Sequence, residues 1–181
     1  MKISLSRLFQ TRFNVALFRH LPPAVTYYLM LCFGRFYYLF KRRERRLIES
    51  NIRDMLGTVR DEVWLQGKIR EAFKGIFLHY FEKLFAAFRS YGHIRRFVNR
   101  HFEVQGLEIV DNAMRSGKGA ILATAHYGAV EFIPWVLALR SYPLDVILEC
   151  ATHRLREAFN EKTRYVDVRL YTLEDGELVD G

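Results

Sequence analysis

Residues 120–135, AILATAHYGAVEFIPW, decide how this chain is read. Ala120 to Ala125 is a continuous apolar run, the pattern of a strand buried on both faces of a parallel sheet. His126 follows at the carboxyl end of that run, and Gly128 permits a tight turn. A helix is then expected over Ala129 to Arg140, with Pro134 in its first turn, where the backbone N–H groups have no intrahelical partner. Active sites of open α/β sheets lie beyond the carboxyl ends of the strands. That rule singles out His126 and, five residues later, Glu131.

The spacing has a chemical rationale. A carboxylate folded back onto Nδ1–H of His126 fixes the imidazole tautomer and leaves Nε2 as a base. It also stabilises the imidazolium formed once a proton is taken, the orienting role of the acid in a Ser-His-Asp triad. With a substrate hydroxyl in place of the enzyme serine, the reaction is attack of an acceptor hydroxyl on an activated acyl group. Helix N–H groups near Gly128 to Val130 would steady an oxyanion or a phosphate. Of the six histidines, only His126 has an acid at this offset. The plain alternative is a histidine that merely caps a strand end. A hydrolase using water with the same pair is a further alternative.

Other chemistries find no support. There is no G-x-S-x-G elbow. Gly117-Lys118-Gly119 is not a phosphate loop, because Asn112 stands where its first glycine belongs and no Ser or Thr follows Lys118; it reads as a helix stop. No His/Cys cluster has metal spacing, so neither a metal nor a cofactor is expected. His79 and His153 read as ordinary residues of amphipathic helices.

Outward from the motif, Phe102 to Gln105 reads as a short strand and Leu107 to Ser116 as a helix. Leu144 to Glu149 is another apolar strand, His153 to Tyr165 a helix, and Val168 to Leu173 a further strand. Alternating strands and helices imply a parallel sheet with helical crossovers. The closing EDGELVDG carries no helix or strand pattern. The sheet would have three or four strands with little chain to cover it, so the α/β part is expected to be incomplete at its C-terminus.

The front of the chain reads as helices: Ser4 to His20, Glu44 to Leu56 with Leu47, Ile48, Ile52 and Met55 on one stripe, and Asp61 to Ser90. The long segment carries Val63, Ile69, Phe73, Ile76, Phe77, Tyr80, Phe81, Leu84, Phe85 and Phe88, and Gly57 is a natural stop before it. Ala24 to Phe40 is apolar, follows Pro22-Pro23 and precedes KRRERR. It is short for a membrane span, and Arg35 interrupts it at a cost of roughly 2.5–3.5 kcal/mol. It reads as a helix that lies in the membrane interface or spans with Arg35 snorkelling; the plain alternative is a buried core helix. Its flanking Tyr, Phe and basic residues suit a headgroup region, with the basic run on the cytoplasmic side.

The chain has 181 residues, half of them hydrophobic and 15% aromatic, enough for a sizeable core. Its net charge of +8 calls for an anionic partner without choosing one. Cys32 and Cys150 are far apart, unlike a disulfide scaffold, and fit a reducing compartment. A competing function is a basic membrane-surface or nucleic-acid-binding module without catalysis; nucleic-acid binding would show steep salt dependence.

FEVQGLEIVDNAMRSGKGAILATAHYGAVEFIPW resembles the late acyltransferases of lipid A biosynthesis, in the lysophospholipid acyltransferase superfamily. Gly106, Glu108, Gly117, Lys118, Gly119, His126, Gly128 and Glu131 match that family's pattern, and ESNIRDMLG with Asn51 is similar to its upstream helix. Ala129-Val130 replaces the family's Asn-Trp, and Cys150-Ala151-Thr152 stands where an Arg-Pro is often found. The resemblance implies an acyl donor on acyl carrier protein or coenzyme A and a lipid-linked hydroxyl acceptor at the cytoplasmic face of the inner membrane, with no nucleic acid. It implies His126 as general base, Glu131 as its partner, and Gly128 and Arg164 as substrate-binding residues; Arg164 equally fits a solvated face. The expected organisation is α/β: a helical, membrane-associated region over 1–60, then a partial parallel-sheet acyltransferase domain over 61–181. A chain incomplete in this way is not expected to be active alone.

Overall fold

A computed structural model describes residues 9–56, 61–125, 128–148, 150, 152–174 and 177–180. The chain forms two compact units, Met1–Arg89 with Ala151–Leu155, and Ser90–Cys150 with Arg156–Gly181.

The first unit is helical: α1 (Arg12–His20), α2 (Pro23–Phe40), α3 (Arg42–Leu56) and α4 (Glu62–Phe88). Helix α4 organises it. Asp61 caps its start by accepting a hydrogen bond from the Trp64 N–H at 2.8 Å. Leu65, Ile69, Phe73, Phe77, Phe81 and Phe85 recur every fourth residue and are buried, giving the helix a continuous apolar stripe. Helix α2 lays Thr26, Met30 and Gly34, also four apart and buried, against the core. Gly34 is there for closeness: a Cβ at this position would lie 3.1 Å from Cγ of Phe77. Tyr38 meets Phe73 edge-on, with centroids 5.0 Å apart. Arg89, nearly buried, donates to the carbonyls of Arg19 and Leu21 at the end of α1 and lies over the Phe85 ring. Burial pulls its guanidinium below the usual arginine range.

Two details of the expected helical stripes change. In α3 the packed residues are Ile48, Ile52 and Leu56, a clean i, i+4, i+8 row, while Leu47 and Met55 are exposed. Val63 and Ile76 of α4 also lie outside the buried face. Gly57 lies outside the described residues.

The second unit contains α5 (Tyr91–His101), α6 (Leu107–Arg115), a 3-10 turn (Val130–Phe132), α7 (Ile133–Ala138), β1 (Leu144–Leu148), the body of α8 (His153–Thr163), β2 (Val168–Glu174) and β3 (Glu177–Asp180). Strands β1 and β2 are parallel, in register from Leu144 opposite Val168 to Leu148 opposite Thr172. The α/β reading therefore holds for this pair and its helical connection. Asp145 and Arg169 face each other in that register and form an ion pair at 2.7 Å, a favourable cross-strand pair. Helix α7 packs on β1 with Trp135, Val136, Leu137 and Ala138 buried.

Three sequence expectations are corrected here, and one helix is added. Phe102 to Gln105 is irregular, not a strand. Ala120 to Ala125 is also irregular and exposed, with Ile121 99% accessible. The run is half alanine, which has little preference for strands, and no paired neighbour offers it a hydrogen-bond ladder among the described residues. The closing residues do form a strand: β3 pairs antiparallel with β2, Leu178 opposite Leu173, so the sheet is mixed. Finally, Tyr91–His101 is a helix that the sequence reading passed over, although Ile94 and Val98 are buried one turn apart.

Candidate functional site

His126 and Tyr127 lie outside the described residues, so the histidine side of the candidate pair has no geometry to report. The residues after it are placed. Gly128 has φ +60°, the left-handed region that a glycine enters without steric cost. A Cβ there would meet nothing within 4 Å, so backbone conformation rather than crowding calls for glycine. The turn that Gly128 was expected to make is thus present.

Glu131 is half-buried in the 3-10 turn Val130–Phe132. The helix expected over Ala129 to Arg140 is shorter and divided: one 3-10 turn, then α7 from Ile133 to Ala138. Pro134 sits in the first turn of α7 as expected. It lacks the N–H that would continue the hydrogen-bond ladder backward, which fits a helix beginning here rather than at Ala129.

The position of Glu131 is set by the residue after it. Phe132 is 1% exposed. Its ring lies 5.2 Å from that of Phe97 on α5 and 5.3 Å from that of Phe102. The Phe132 N–H donates to the Ala129 carbonyl at 3.0 Å and closes the turn. The carboxylate is therefore carried on a short turn with an aromatic anchor on one side and a left-handed glycine on the other. Sequence reasoning missed Phe97, Phe102 and Phe132 as its supports. The signal available was the i, i+3, i+4 spacing of Ile94, Phe97 and Val98.

The Gly-x-Glu and Gly-Lys-Gly elements have plain structural roles. Gly106 caps the start of α6 with φ +81°, and Glu108 lies in that helix's first turn, where the helix dipole favours a negative charge. Gly117 and Gly119 turn the chain after α6 with φ +70° and +74°. Asp111 of α6 accepts a hydrogen bond from the Tyr142 hydroxyl, which pushes the phenol above its usual range.

Arg164 is exposed in the turn after α8 and leads into the amino end of β2. Gly128 and Glu131 lie within one turn of each other, and Arg164 lies between α8 and β2.

The family model of bacterial lipid A biosynthesis acyltransferases matches residues 8–176. No curated protein and no solved structure gave a match.

Proposed function

The chain belongs to the bacterial lipid A biosynthesis acyltransferase family, and from that membership we propose that it moves a fatty acyl group from a thioester of acyl carrier protein or coenzyme A to a hydroxyl of a lipid acceptor such as a lipid A precursor. The observation that carries this reading is the family match over residues 8–176. In this proposal His126 is the general base and Glu131 orients it. The acceptor hydroxyl gives its proton to Nε2 as its oxygen attacks the thioester carbonyl. The tetrahedral intermediate then collapses, the thiolate leaves, and the imidazolium returns the proton to sulfur. The left-handed turn at Gly128 and the anchored turn at Glu131 support it, because an orienting carboxylate must be held rigidly to be useful.

The reaction would take place at the cytoplasmic face of the inner membrane. Among the described residues no helix is long and apolar enough to cross a membrane. The reading supported best is that α2 lies on the surface. Tyr28, Phe33, Phe36, Leu39 and Phe40 are exposed along it, and the Lys41 to Arg46 run follows, the composition of an interfacial helix facing anionic lipid.

The test uses the full-length protein with an acyl carrier protein thioester and a hydroxylated glycolipid. His126→Ala is expected to lower turnover roughly 10²–10⁴-fold, the usual contribution of a general base. Near wild-type turnover in that variant would remove His126 from the mechanism.

A further inference from the structure

We draw no further inference here: the strongest candidate, the exposed apolar surface of the second unit at Ile109 and Met114 of α6 and at Ile121 and Leu122 of the run after it, carries nothing because nothing in the structure shows what covers it.

Discussion

Replacing Phe132 with alanine tests the idea that the candidate carboxylate is positioned by its neighbour. The ring is 1% exposed and lies 5.2 Å from Phe97 and 5.3 Å from Phe102. Truncating a phenylalanine buried this completely costs about 3–5 kcal/mol, through lost transfer energy and the cavity left behind. The two ring pairs account for about 0.5–1.5 kcal/mol each within that sum. Phe132→Leu should lose less, because the isobutyl group refills most of the space.

The assay is urea denaturation followed by tryptophan fluorescence. Trp135 is buried three residues away in the same unit. The chain has two tryptophans, so a Trp64→Phe background leaves Trp135 as the sole reporter. A double-mutant cycle with Phe97→Ala should show favourable coupling of about 0.5–1.5 kcal/mol. Acyl transfer by the Ala variant should fall even where the protein remains folded, since Glu131 shares the 3-10 turn, and Phe132→Leu should restore part of it. A stability loss below about 1 kcal/mol in Phe132→Ala would refute the reasoning. So would full activity in a folded Ala variant.

Two further outcomes follow from the helical unit. Gly34→Ala should destabilise by about 1–2 kcal/mol: overpacking against Phe77, whose Cγ would be 3.1 Å from the new Cβ, outweighs the helix-propensity gain of about 1 kcal/mol. Combining it with Phe77→Leu should cost less than the sum of the single changes, as read by chemical denaturation. Hydrogen bonds from Arg53 and then Gln66 hold the Glu62 carboxyl at about 2, below its ordinary 4.5. A depressed carboxylate contributes stability that is complete above pH 4.5 and lost as pH falls toward about 2. Arg53→Gln should flatten the acid limb of the stability curve in that window, as measured by denaturation at a series of pH values.

The helices of the first unit were legible in the sequence because their signals are local. Asp61 at the cap and apolar residues every fourth position place α4 within a residue or two of its observed ends. Pro22-Pro23 places the start of α2 equally well. Which side of a stripe is buried was less legible: Leu47 and Met55 fit a periodic pattern yet stay exposed, because the partner face of α4 accommodates only the Ile48, Ile52, Leu56 row. Arg89 could not be foreseen as buried either, since its partners are carbonyls some 70 positions earlier in the chain.

Strands are a different problem, and the run before His126 illustrates it. Leu144 to Leu148 and Ala120 to Ala125 look alike as apolar runs, but only the first is a strand. Val146 and Ile147 give it β-branched side chains, and Val168 to Thr172 gives it a ladder. A strand exists only through its partner, and an alanine-rich run has no intrinsic preference to substitute for one. The turn after the run is governed by other forces: Gly128 by its backbone angle, Phe132 by burial, Pro134 by its missing N–H. Each of these acts on one residue and needs no strand partner. The turn that carries Glu131 was therefore legible in part: Gly128 and Pro134 show in the sequence, whereas the Phe132 anchor and the shorter, divided helix depend on packing partners that it does not display.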